Sequence, residues 1–377
     1  MRLFKRGERC ISSKSEMKIS LITLHRVTNF GSLLQTLATQ QALINLGYEV
    51  EVVDYIPEGL SFFRAIWPRN HSIAKKMIKF FPLLLCNCIQ YRIVDQFLKK
   101  YINLTPIQYN SLQELKSQCP SADYYLSGSD QIWNTQNNNP EEDLGAYYLA
   151  YTNSKNKIAY AGSFGRDDYS NKELLNMTKW LKEYKAISVR EDNGVILLKR
   201  MGIEGVHVLD PTLLISKSEW SNILPIKKIK RRYIFVYNLN RNKLIEKLAI
   251  NIAKEKNVEI VNFADTYEFV KGANNRIVNT PIDFVSYLSQ AEMVLTDSFH
   301  GVAFSINFER QFICTPPPKY ECRLTSILRM FGCERRMILE MNEANDLIEN
   351  EIDYKKVREL LIAKRVESFS FLKEALD

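Results

Sequence analysis

Residues 18–24, KISLITL, form a short apolar run rich in β-branched side chains. It ends in the polar turn His25 to Ser32 and gives way to a helical pattern from Leu33 to Leu46, which Gly47 stops. A second strand-like run, EVEVVDY at 49–55, follows at once. Strand, turn, helix and strand in that order give the opening unit the shape of a nucleotide-binding half-domain. The runs at 123–130 (DYYLSGSD), 157–164 (KIAYAGSF), 185–191 (KAISVRE) and 205–211 (GVHVLDP) repeat the theme. Each is apolar and closes on small or polar residues, as buried parallel strands do when their C-terminal ends carry working loops.

The alternation then restarts. Residues 223–232, ILPIKKIKRR, hold a proline and five basic residues and are expected to link two domains. After them come strands at 232–239, 258–264, 292–297 and 311–315, with helices at 243–256, 282–290 and about 300–307 between them. A length of 377 residues suits two domains, each able to bury a core. The predicted layout is a loose extension at 1–16, an α/β domain at 17–222, the linker at 223–232, a second α/β domain at 233–345 and a C-terminal segment at 346–377 with an amphipathic helix from 353 to 376. The fold class is α/β, two Rossmann-like doubly wound domains facing a cleft, the outline of GT-B transferases.

The net charge of +8 is uneven along the chain. Between Phe62 and Asn103 lie eight basic residues (Arg64, Arg69, Lys75, Lys76, Lys79, Arg92, Lys99, Lys100) against Asp95 alone, mixed with Phe62, Phe63, Trp67, Phe80 and Phe81. Such an insertion suits either a helix packed by its apolar side or a contact with anionic lipid headgroups. No nucleic-acid-binding pattern accompanies it, and none is expected to function here. The first 16 residues lack the apolar core of a secretion signal, and no run reaches membrane-spanning length. Seven cysteines without a C-x-x-C pair suit a reducing compartment, and four scattered histidines predict no metal site. A cytoplasmic protein, able to sit on the inner membrane face, is the expectation.

The segment 291–306 carries the most chemistry. A buried strand runs into Thr296, Asp297 and Ser298, and His300 and Gly301 stand where the next helix begins. Unpaired N–H groups at a helix start favour phosphate or carboxylate, and Gly301 would let a ligand approach the backbone. The plainer alternative is a turn in which Asp297 or Ser298 caps the helix and His300 is only partly buried.

The segment Thr296-Asp-Ser-Phe-His-Gly301 does not stand alone. With Asn29-Phe-Gly-Ser-Leu-Leu-Gln35, Gly128-Ser-Asp-Gln-Ile-Trp133, Ser188-Val-Arg-Glu191 and Asp210-Pro-Thr-Leu-Leu214 it forms an ordered set of five motifs. The chain from about Lys18 to Phe331 thereby resembles the polysaccharide pyruvyl transferase family. The resemblance implies a phosphoenolpyruvate donor, a sugar acceptor in a glycan or lipid-linked precursor such as a galactose or N-acetylmannosamine unit, a pyruvate ketal as product, and no cofactor. It places Arg190 and His300 at the donor site, with Ser298, Phe299 and Gly301 beside them. Several family members carry Arg-Leu-His where this chain has Ser298-Phe299-His300, so a guanidinium is missing. Arg323 or Arg276 is expected to replace it.

The reaction's demands fit this set. Phosphoenolpyruvate is a dense anion that a forked guanidinium such as Arg190 can grip bidentately, and protonation of its C3 calls for an acid such as His300. Asp130 is the expected base for the attacking hydroxyl. Ser129, Asp130 and Gln131 offer hydrogen bonds to a sugar, Trp133 a stacking face, and Asn29 and Gly31 a sugar-contacting loop. Against these stand a Trp133 packed in the core, an Asp130 that caps a helix, and a Gly31 needed only for a tight turn. The rival functions are a GT-B glycosyltransferase using a nucleotide sugar, with Asp265 or Glu268 on the ribose, and a non-catalytic glycan-binding relative.

Overall fold

Among the described residues, twelve strands form two wholly parallel sheets. The first holds β1 (Lys18–Ile22), β2 (Glu49–Tyr55), β3 (Leu104–Tyr109), β4 (Tyr124–Ser127), β5 (Lys157–Gly162), β6 (Ala186–Val189) and β7 (Val206–His207) in the order β3-β2-β1-β4-β5-β6-β7. The second holds β8 (Tyr233–Tyr237), β9 (Glu259–Phe263), β10 (Asn274–Arg276), β11 (Met293–Thr296) and β12 (Gln311–Cys314) in the order β10-β9-β8-β11-β12. The computed structural model describes residues 17–57, 73–136, 141–264, 269–319 and 321–377.

Central strands are buried on both faces, which is why their sequences read as unbroken apolar runs: Ile19, Leu21 and Ile22 are inaccessible, as are Ile234, Phe235 and Val236. β3 is different. Its sequence LTPIQY contains Pro106, which cannot donate to a ladder, and accordingly β3 is an edge strand with three consecutive exposed residues. That proline hid it from the sequence pattern.

The helix Phe30–Asn45 begins three residues before its apolar pattern, because Asn29 caps it by accepting from the Ser32 N–H at 3.3 Å. Thirteen of its 16 residues are buried, so it shows no polar face. The cause is its position between the domains: Phe30 lies against Tyr237, Phe263 and Phe284 of the second sheet's layer, with ring centroids 5.8–6.4 Å apart.

Residues of the basic stretch 227–232 are strapped to the second domain. Lys227 N–H donates to Ser286 Oγ at 3.0 Å, and Lys227, Arg231 and Arg232 pair with Asp283, Glu259 and Glu292. The final helix, Tyr354–Leu376, starts on the second domain, where Tyr354 donates to the Ser305 carbonyl at 3.3 Å. It ends on the first, where the Leu209 N–H reaches Ser368 Oγ at 3.0 Å and Tyr48 donates to the Leu376 carbonyl.

The insertion contributes a long helix, Ile73–Tyr101. Its C-terminal half packs Val94, Phe97 and Leu98 into the core, and Arg26 ties it down through Asp95. Residues 62–72, with Phe62, Phe63, Arg64, Trp67 and Arg69, lie outside the described residues, and so does the extension at 1–16. No helix among the described residues is long and apolar enough to cross a membrane.

Candidate active site

In a parallel sheet the strand order reverses at one point, and the loops diverging there leave a crevice at the strands' C-terminal ends. In the first sheet that point lies between β1 and β4, in the second between β8 and β11. The two crevices face each other. Leu24 and Val27 after β1, Asp130 and Gln131 after β4, Leu239 and Asn240 after β8, and Asp297 to His300 after β11 line one cleft of about 540 Å³. Lys319 and Arg323, after β12, close its side.

The helix Phe299–Asn307 opens toward this cleft. Its N-cap Ser298 makes no side-chain capping bond, so the helix start keeps its affinity for an anion. Asp297 does not cap it either. Its carboxylate accepts from the Leu239 and Asn240 N–H groups, both at 2.7 Å, and so ties the two loops of the switch point together. Burial raises the Asp297 pKa against these bonds.

Two glycines have structural reasons that differ from the expected ones. A Cβ on Gly301 would lie 2.4 Å from Thr296 Oγ1, so Gly301 serves the packing of its helix on β11 and does not line the cleft. A Cβ on Gly31 would lie 2.0 Å from His300 Nδ1. Gly31 is therefore a notch for the imidazole of the opposite domain and offers nothing to a sugar.

Arg190 is buried behind the cleft. Its Nη1 donates to Asp210 Oδ2 at 2.9 Å and its Nε to Glu191 Oε1 at 3.2 Å, while the guanidinium lies 4.3 Å from the centre of the Phe299 ring. Two of its three faces are thus spent on carboxylates, which corrects the expectation of a fork open to bidentate contact with the donor. Among the described residues Nη2, 3.7 Å from Asp130 Oδ1, finds an ion partner but no hydrogen bond. Against the desolvation of burial, Glu191, Asp210 and Asp130 raise the Arg190 pKa above the usual arginine value.

Asp210 is the hub that the sequence reading did not single out as a site residue. It caps the short helix Pro211–Leu214 through the Thr212 N–H at 2.9 Å, and accepts from Arg190 and from Ser129 Oγ at 3.1 Å. Its Oδ2 lies 3.8 Å from His300 Nε2. Despite full burial, His300 and Arg190 hold its carboxyl far below the usual range. The available signal was an Asp directly before a proline, read only as one of five motifs. Ser129, bonded to Asp210 and inaccessible, is a scaffold residue and cannot meet a sugar.

Asp130 does face the cleft. It sits in the left-handed region at φ 75°, a strained conformation that Asp tolerates better than most residues, and its carbonyl accepts from the Ser163 N–H at 3.1 Å beside the bridge to Gly162. Its carboxylate accepts from Ser32 Oγ and from the Gln131 N–H at 2.9 Å. Burial opposes ionisation, but Arg190 and His300 outweigh it and hold Asp130 below the usual carboxylate pKa. Gln131 and Asn29 also line the cleft.

Trp133 does not. It is wholly buried, stacked on Tyr148 at 5.7 Å and 9° and tilted on Phe164 at 5.1 Å, and a Cβ on Gly162 would strike it. The core reading of this tryptophan, and not the sugar platform, is the observed one.

Of the two arginines expected to replace the missing guanidinium, Arg323 is in the cleft, on the helix Glu321–Met330. With the Gln131 amide oxygen turned toward it, Arg323 Nη1 donates at 3.1 Å. Desolvation and the nearby Arg190 lower its pKa from the usual arginine value. Arg276 instead lies over the rings of Tyr287 and Phe263, outside the cleft. Lys319, in a proline-rich loop, is a further cation that the sequence reading missed. Asp265 and Glu268 lie outside the described residues. Among the described residues no group of three or more His, Cys, Asp or Glu could hold a metal ion.

A family model described as Polysaccharide pyruvyl transferase matches residues 29–317. No curated protein matches at the sequence level. Among solved structures, a UDP-GlcNAc 2-epimerase from Neisseria meningitidis bound to UDP-GlcNAc aligns with a TM-score of 0.51 at 12% identity, over 93% of this chain and 94% of that one. A UDP co-structure of MnaA from S. aureus aligns with a TM-score of 0.53 at 13% identity, over 92% and 90%. At such identity these likenesses speak for the fold, two Rossmann-like α/β domains about a cleft.

Proposed function

The chain belongs to the polysaccharide pyruvyl transferase family, and from that premise we propose that it moves the pyruvyl group of phosphoenolpyruvate onto sugar hydroxyls, forming a ketal and releasing phosphate. The observation that carries this reading is the uncapped start of the Phe299–Asn307 helix, opening into a cleft beside His300, Arg323 and Lys319. A helix N-terminus and two or three cations suit a small ligand bearing both a phosphate and a carboxylate.

The proposed sequence starts with a proton delivered to C3 of the donor, which leaves C2 as an oxocarbenium centre. His300 is the proposed acid. Its Nε2 lies 3.8 Å from Asp210 Oδ2, and its Nδ1 faces Gly31 of the opposite domain. A sugar hydroxyl then adds to C2, and Asp130 takes its proton. The C2–O bond to phosphate breaks, with the electron pair leaving on phosphate. A second hydroxyl of the same sugar closes the ketal and gives up its proton, which phosphate can accept. Arg190 acts from behind, holding Asp130 and Asp210 ionised, with its Nη2 3.7 Å from Asp130 Oδ1. No cofactor enters.

A lipid-linked acceptor at the cytoplasmic membrane face is part of this proposal. Leu85, Cys88, Ile89 and Arg92 are all exposed and recur at i, i+3, i+4 and i+7 on the helix Ile73–Tyr101, an apolar and basic stripe suited to an anionic bilayer surface.

Equilibrium binding tests the donor. Phosphoenolpyruvate should bind the wild-type protein, and Arg323→Ala or Lys319→Ala should each weaken it by about tenfold or more, as expected for loss of one charge-assisted hydrogen bond. Binding of UDP with indifference to phosphoenolpyruvate would instead favour the nucleotide-sugar reading.

A further inference from the structure

Beside the charged cleft lies a second cavity of about 170 Å³, walled on one side by the insertion helix Ile73–Tyr101 and on the other by the second domain. Asn29 and Leu239 line both it and the cleft, so the two are neighbours. Its chemistry is of another kind. Among the described residues no charged side chain lines it; Thr28, Asn29, Asn87 and Gln90 supply neutral donors and acceptors, and the edges of the packed rings Phe30, Tyr237 and Phe263 supply aromatic carbon. Neutral amides around aromatic carbon reject a phosphate, which needs cations, and suit an uncharged ring with hydroxyls at its rim and C–H groups on its faces. The helix wall is fixed in place: Gln90 Nε2 donates to the Asn279 carbonyl at 3.1 Å, and Arg26 anchors the same helix through Asp95.

We infer that this cavity is a neutral-sugar subsite, which holds one pyranose ring of the acceptor while the adjoining ring presents its hydroxyls to Asp130. That the ring belongs to an acceptor rests on the pyruvyl-transfer reading; that the cavity takes a neutral sugar does not. The ring-binding role thus passes from Trp133, which is buried, to an insertion that adds a wall to the basic two-domain plan.

The test is saturation-transfer NMR on the full chain with methyl glycosides of galactose, glucose and N-acetylmannosamine at millimolar concentration, alongside calorimetry with phosphoenolpyruvate. Asn87→Phe fills the cavity, and Asn87→Ala with Gln90→Ala removes the two amides of the helix wall without filling it. The inference expects at least one glycoside to bind the wild type, roughly tenfold or greater loss in either variant, and donor affinity within twofold of wild type. It is overturned if no glycoside binds the wild type, or if binding survives both variants. Glycoside binding without any phosphoenolpyruvate binding would leave the subsite standing and remove the pyruvyl-transfer reading.

Discussion

The imidazole of His300 fills the space that any side chain at Gly31 would need: a Cβ there would lie 2.0 Å from Nδ1 and 2.3 Å from Cγ. The first domain's opening helix and the second domain's anion-receptive helix thus meet where Gly31 receives His300. Gly31→Ala should push the ring aside and lower turnover by about 10²-fold, the scale of an ångström's misplacement, while costing about 1–3 kcal/mol of stability. Steady-state kinetics beside denaturant unfolding checks both numbers. Unchanged turnover would mean that His300 is not positioned by this contact.

Asp210→Asn removes a carboxylate that Arg190, Ser129 and Thr212 all use. Stripping one partner from a buried ion pair costs roughly 3–5 kcal/mol, and urea unfolding should register that loss. Activity should fall as well, because His300 loses its charged neighbour at 3.8 Å. A variant with wild-type stability would contradict the placement of Asp210 as the hub.

Trp133→Ala should destabilise the first domain by about 3–5 kcal/mol, as large core truncations do, and leave glycoside affinity untouched in whatever fraction stays folded. Thermal melting together with glycoside titration separates this from a sugar platform, where affinity would fall and stability would not.

Acid should weaken the junction of the insertion helix with the body. Asp54 accepts from His25 and Arg26, and against the cost of burial these partners pull its pKa down to about 2. A carboxylate whose folded pKa lies below its unfolded value near 4 contributes stability in full above that value. That contribution disappears as pH falls from about 4 to about 2. Asp54→Asn should lower stability at pH 7 and flatten its dependence across that window, measured by chemical unfolding at a series of pH values.

If the stripe of Leu85, Cys88, Ile89 and Arg92 meets a bilayer, Leu85→Glu with Ile89→Glu should abolish co-sedimentation with vesicles containing phosphatidylglycerol while solution activity on a soluble acceptor persists. Equal binding by the double variant would remove the membrane contact from the proposal.

Much of this architecture was written in the sequence, because buried parallel strands must be apolar throughout and their C-terminal loops must be small and polar. The helix Lys243–Lys256 and the strand Glu49–Tyr55 fall where periodicity puts them. β3 did not announce itself, since an edge strand can carry a proline and exposed residues. At the site, residue types indicated chemistry but not direction. Trp133 and Ser129 sit in the same loop as Asp130, yet the left-handed turn at Asp130 sends its carboxylate to the cleft while the other two go to the core and to Asp210. Arg190 was legible as important, but its burial behind Phe299 depends on contacts between distant segments, which no local pattern encodes.

The most direct test of the account is phosphate release from phosphoenolpyruvate, followed together with the mass of a panel of free and lipid-linked glycosides, for the wild type and His300→Ala. Release should depend on acceptor, be matched one for one by a glycoside carrying a pyruvyl ketal, and be lost in the variant. Phosphoenolpyruvate left intact with every acceptor, by a protein that neither binds it nor loses anything on changing His300, would contradict it.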